Sequence, residues 1–105
     1  MNAWDTLRIY RETILEIAVI NGLGPDITAL NRKELWRLNT LAKKLKEPAE
    51  SIVMSLKSRM ERLVLTGYYL EGLSVKQTAV KYHYSYGYLR AVKSQALKRI
   101  AEMDK

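Results

Sequence analysis

The chain has 105 residues, 48% of them hydrophobic and 28% charged, which suits one ordinary packed domain and excludes global disorder. It has no cysteine and a single histidine, His83, so disulfides, thiolate metal sites and a histidine cluster for zinc or iron are excluded. The formal net charge of +7 is unevenly placed: −2 over residues 1–31, +5 over 32–46, −1 over 47–71 and +5 over 72–105.

The N-terminus carries Asp5, Arg8, Arg11, Glu12 and Glu16 where a secretory signal needs an apolar stretch, and the longest apolar run, 17–20, is far short of the roughly 20 residues that span a bilayer. The expectation is a cytoplasmic chain with no membrane contact. Trp4, Leu7, Tyr10, Ile14, Ile17 and Ala18 recur at helical spacing, and the pattern stops at Asn21-Gly22-Leu23-Gly24-Pro25, which predicts a first helix over 3–20. Leu15 and Val19 widen its apolar surface beyond what one neighbouring helix covers, and this predicts a homodimer formed through that helix. A loop to Leu30 follows. Asn31 then reads as the N-cap of a second helix over 32–46 that bears Leu35, Leu38, Leu41, Ala42 and Leu45.

Pro48 fits the first turn of a further helix, where its missing N–H costs nothing, and Ile52, Leu56, Met60, Leu63 and Val64 extend the apolar stripe. The spacing reads as one long or kinked helix reaching Tyr69. Ser58 with Glu61 three residues on offers the alternative of a capping box that starts a fresh helix. Within 39–57, the stretch 41–52 has the alanine spacing of a helix-turn-helix and would account for the first basic block. Glu47 stands where that turn needs an apolar residue, so a helical hairpin is the expectation there.

The segment after Tyr69 is the most informative. Gly72 supplies the left-handed conformation that ends one helix, and Ser74 caps a short helix over 75–82. Ala79 is small where two helices must cross closely. After the turn His83-Tyr84-Ser85, Ser85 caps a longer helix over 86–100 with Leu89, Val92, Ala96, Leu97 and Ile100 inside and Arg90, Ser94 and Lys98 outside. Between 72 and 100 there are six basic residues (Lys76, Lys81, Arg90, Lys93, Lys98, Arg99) and no acid, a surface suited to neutralising phosphates; the plainer reading is a solvated lysine-rich face.

Residues 63–100, with the junction Tyr69-Leu70-Glu71-Gly72-Leu73-Ser74, Ala79, Ser85, Leu89 and Ala96-Leu97, resemble region 4 of the bacterial sigma-70 family and the related phage regulators of the ArpU type. The resemblance covers a little over a third of the chain. It implies a recognition helix at about 86–100 in the DNA major groove, with residues 75–82 crossing the backbone. It sets Tyr86, Gly87, Tyr88, Arg90 and Ala91 nearest the bases, and Ser74, Lys76, Gln77, Lys93, Ser94 and Lys98 near phosphates, with Ser85 at the start of the recognition helix. His83 sits where the family usually has glycine, and histidine tolerates a left-handed backbone better than most residues. Gly87 and Ala91 replace polar base-reading side chains, so the resemblance does not extend to an ordinary promoter −35 element.

Six of the seven tyrosines lie between Tyr68 and Tyr88, and Tyr82, Tyr84, Tyr86 and Tyr88 alternate as a strand face would. A lone strand has no partner in a helical chain. Stacking on unpaired bases is usually the work of sheets. The helix-turn-helix reading instead packs Tyr82 and Tyr84 around the turn and stands Tyr86 and Tyr88 at the groove.

No glycine-rich phosphate loop, paired carboxylates or activated nucleophile emerges, so neither an enzyme nor a cofactor is expected. The sequence thus predicts an all-α helical bundle with a C-terminal helix-turn-helix. An N-terminal helical part, 1–57, would serve dimerisation or partner contact, and 58–105 would be the DNA-binding domain. The expected function is a transcriptional regulator, sigma-like and of phage or mobile-element type, with double-stranded DNA, RNA polymerase and a second copy of itself as partners. The alternative is a helical protein-interaction module whose charge serves solubility.

Overall fold

The computed structural model describes residues 1–104, and every regular element within them is helical. Helix α1 (Ala3–Asn21) starts at Asn2, whose side chain accepts from the Asp5 amide at 2.8 Å, and Asp104 reaches back from the far end of the chain to accept from the Ala3 amide at 2.7 Å. A short turn at Gly24–Asp26 leads to α2 (Ala29–Met54). The N-cap is Thr28 and not the expected Asn31. Thr28 accepts from the Asn31 amide at 3.1 Å, while the Asn31 side chain accepts from the Thr28 amide at 3.3 Å, so the helix begins before the predicted 32.

Helix α2 overturns two expectations at once, because it runs unbroken for 26 residues with Pro48 inside it and with no turn anywhere in 41–52. There is therefore neither a second helix-turn-helix nor a helical hairpin in that stretch. The reason is burial: Leu38, Leu45, Ala49 and Val53 form one continuous inward stripe, whereas Pro48 lies on the exposed side. Keeping that stripe together outweighs the roughly 3 kcal/mol that an interior proline costs.

The long helix expected over 48–69 is broken instead at residues 55–58. Leu56 is buried, and the Arg62 side chain closes the corner by donating to the carbonyls of Leu56 at 2.6 Å and Lys57 at 3.0 Å. Ser58 then caps α3 (Arg59–Leu65), which is the fresh start that its spacing to Glu61 allowed. Helix α3 widens into a π-type turn at Thr66–Leu70, closed by the Glu71 amide on the Thr66 carbonyl at 2.9 Å, and Gly72 ends it at φ +74°.

Helices α4 (Val75–Tyr82) and α5 (Tyr86–Met103) complete the chain. One core joins the five helices and the π-type turn: Leu7 and Tyr10 of α1, Leu45, Ala49 and Val53 of α2, Val64 and Leu65 of α3, Tyr69 of the turn, Ala79 of α4, and Leu89, Val92, Ala96 and Ile100 of α5. Among the described residues no helix is long and apolar enough to cross a membrane.

Candidate nucleic-acid interface

Three local devices set the geometry of α4 and α5. Ser74 accepts from the Gln77 amide at 3.0 Å while the Gln77 side chain accepts from the Ser74 amide at 2.9 Å, a reciprocal cap that starts α4. His83 then takes the left-handed conformation, φ 62° and ψ 43°, and the Tyr84 amide donates to the Ala79 carbonyl at 3.0 Å. Ser85 caps α5 by accepting from the Tyr88 amide at 3.3 Å. Ser74, Gln77 and Ser85 thus use side-chain acceptors within the fold, although all three are exposed.

Helix α5 is sharply two-sided. Leu89, Val92, Ala96 and Ile100 recur at spacings of three and four and are buried. On the opposite side Gly87, Arg90, Ala91, Ser94 and Lys98 are all exposed. No atom lies within 4 Å of where a Gly87 side chain would begin, so packing gives no reason for glycine there.

Of the six basic residues over 72–100, two are neutralised by acids outside that stretch. Lys81 pairs with Glu71, whose other carboxylate oxygen accepts from the Tyr82 hydroxyl at 2.7 Å. The Lys81 hydrogen bond holds the Glu71 carboxyl below its usual range, and the same contact raises Lys81. Arg99 pairs with Glu61, a carboxylate only 3% exposed. The Arg99 Nε donates to Oε2 at 3.1 Å and lies 2.7 Å from Oε1, at an angle that leaves Oε1 without a hydrogen bond. Lys76, Arg90, Lys93 and Lys98 have no carboxylate partner among the described residues.

Sequence reasoning missed the role of Tyr68. Two cations lie over its ring, the Arg11 guanidinium 3.9 Å from the ring centroid and the Lys93 ammonium 4.0 Å from it. Arg11 also donates to the Tyr68 carbonyl at 2.9 Å, so α1 braces the π-type turn against α5. Tyr68, Ser74, Val75, Lys76, Tyr86 and Lys93 line one open cleft of about 390 Å³, which brings Lys76 of α4 beside Lys93 and Tyr86 of α5.

The turn tyrosines divide differently from expectation. Tyr82 is half-buried against Glu71, but Tyr84 does not plug the core: it is 42% exposed, with its ring centroid 6.1 Å from that of Tyr88. The left-handed His83 turns the chain outward before Ser85, which carries Tyr84 to the surface with it. Tyr86 and Tyr88 are exposed, as the groove reading requires. Arg32, Lys33, Lys43, Lys44 and Lys46 of the first basic block are exposed on α2, and Arg37 pairs with Glu34. No family model, curated protein or solved structure matches the chain.

Proposed function

We propose that the chain is a DNA-binding transcriptional regulator in which α4 and α5 act as a helix-turn-helix and α5 enters the major groove. The observation that carries this reading is the exposed side of α5. Arg90 and Lys98 stand there among small residues (Gly87, Ala91, Ser94) that keep the surface low, and no acid lies on it before Glu102, one turn beyond Lys98. A helix must present such a low, basic face to bring its backbone close to base edges. Lys76 and Lys93 flank that face across the cleft and suit phosphates on one strand, with Tyr86 lining the same cleft, while Tyr88 is exposed on the other flank beside Tyr84.

Selection of bound sequences from a random duplex pool tests this directly. The expected outcome is an enriched motif of a few base pairs per bound chain, with Arg90→Ala changing the motif and Lys98→Ala weakening all sequences alike. No mobility shift at about 50 mM salt with any duplex pool would refute it, because even sequence-independent phosphate binding is strong there.

A further inference from the structure

The outer part of the α1–α2 hairpin is apolar and yet uncovered. Between residues 14 and 37 no residue is buried, although Leu15, Val19, Ile20, Leu30, Leu35 and Trp36 all lie there. Val19 is 69% exposed, Leu30 77% and Trp36 72%. Two adjoining concavities share Glu34. One is floored by Leu15, Val19, Ile20 and Leu38, and the other is walled by Leu30 and Trp36. A contiguous patch of this kind marks an interaction surface more often than a solvated face.

The whole molecule shows the same deficit. Its Cα radius of gyration is 15.0 Å, against about 13 Å for a compact chain of this length. Its accessible surface is 6913 Å², against about 6,000 Å² for a compact monomer of its 12.1 kDa mass. The excess, about 900 Å², is close to the roughly 800 Å² that each partner contributes to a stable interface.

We infer that a second copy of this chain covers the hairpin, giving a two-fold dimer. Charge selects this occupant. Over residues 15–37 three acids (Glu16, Asp26, Glu34) balance three bases (Arg32, Lys33, Arg37), whereas the chain as a whole carries +7. Two copies meeting through another basic surface would repel, while this segment is neutral. Arg37 is already paired with Glu34 on α2, which leaves Glu16 on α1 and Arg32 and Lys33 on α2 to let the edge of one copy face the opposite edge of the other, as a two-fold interface requires. A peptide partner of either net charge would gain no attraction from a balanced surface.

Sedimentation equilibrium of the full chain without DNA, from about 1 to 300 μM, tests this independently of any DNA binding. The expected mass rises from 12.1 kDa toward twice that value. Val19→Glu and Trp36→Glu should each raise the dimer dissociation constant about tenfold or more, since each puts a charge at the centre of the contact. Both side chains are exposed, so helicity and melting of the dilute monomer should not change, while Lys98→Glu on α5 should leave the mass curve as it was. A monomer mass throughout overturns the proposal and leaves the patch to a different protein. A dimer that survives both hairpin substitutions, or one that Lys98→Glu dissociates equally, also overturns it.

Discussion

Replacing Gly67 by alanine would place a methyl group 2.5 Å from Cγ2 and 2.6 Å from Oγ1 of Thr78, distances that real Cβ atoms do not adopt. Thr78 has nowhere to retreat. It is fully buried, and its hydroxyl donates to the Ser74 carbonyl at 2.8 Å. Rotating it away forfeits a hydrogen bond worth about 1 kcal/mol, and keeping it in place overpacks the site by about 1–3 kcal/mol. Alanine recovers about 0.5–1 kcal/mol by restricting the unfolded chain. The net expectation is a loss of about 0.5–2 kcal/mol, or roughly 2–9 °C in Tm for a chain of this size, read by thermal and urea unfolding followed by circular dichroism. Thr78→Ala removes both clashing atoms and leaves only its Cβ, 3.1 Å from the new methyl, so Gly67→Ala introduced into that background should cost about 1 kcal/mol less than in the wild type, which is the coupling between the two sites. Equal costs in the two backgrounds, or a wild-type melting curve for Gly67→Ala alone, would refute the close approach of the π-type turn to α4.

Three further outcomes follow from the pairings around α4 and α5. Arg99→Ala should cost about 1–3 kcal/mol in urea unfolding, because it leaves the buried Glu61 carboxylate without its cation, whereas the exposed Arg90→Ala should cost under about 0.5 kcal/mol. Glu71→Gln should lower stability at pH 7 by up to about 1 kcal/mol, since the Lys81 contact is largely solvent-screened. The Glu71 carboxyl titrates lower in the folded chain than in the unfolded one. Its contribution is therefore present above the ordinary carboxylate range and lost as pH falls through the lowered folded value, so wild-type and Glu71→Gln melting curves should converge in acid. Gly87→Ala should raise stability by about 0.5 kcal/mol, because its side chain would meet nothing, and yet weaken DNA binding in an anisotropy titration.

Elements whose signals are local were legible in the sequence. Helix α4 matches the predicted 75–82, and α5 starts at the predicted 86, because Gly72, Ser74 and Ser85 act within one turn of the residues they cap. Helix α1 follows its periodicity over 3–20 nearly to the residue. What escaped depends on distant parts of the chain. Pro48 reads locally as a helix start, and only the buried stripe from Leu38 to Val53 shows why the helix continues through it. Gly67 means little until Thr78 is set against it. The charge count over 72–100 was right as a count, yet Glu61 and Glu71 lie outside that window and reach in to neutralise Arg99 and Lys81. On the exposed side of α5, the residues that the resemblance put near the bases do share one surface, apart from Tyr86 and Tyr88 on its flanks.

The salt dependence of duplex binding tests the DNA-binding account most directly. A labelled duplex titrated with the chain between about 50 and 200 mM salt should give a log–log slope of about −3 per bound chain, since three cations without a carboxylate partner (Lys76, Lys93 and Lys98) stand beside the base-reading Arg90 and suit phosphates. Lys98→Ala should reduce that slope by about one, and Arg90→Ala should also narrow the gap between preferred and random duplexes. Binding that ignores salt, or that keeps its slope and its preference in both variants, would contradict the assignment of α5 as the DNA-reading helix.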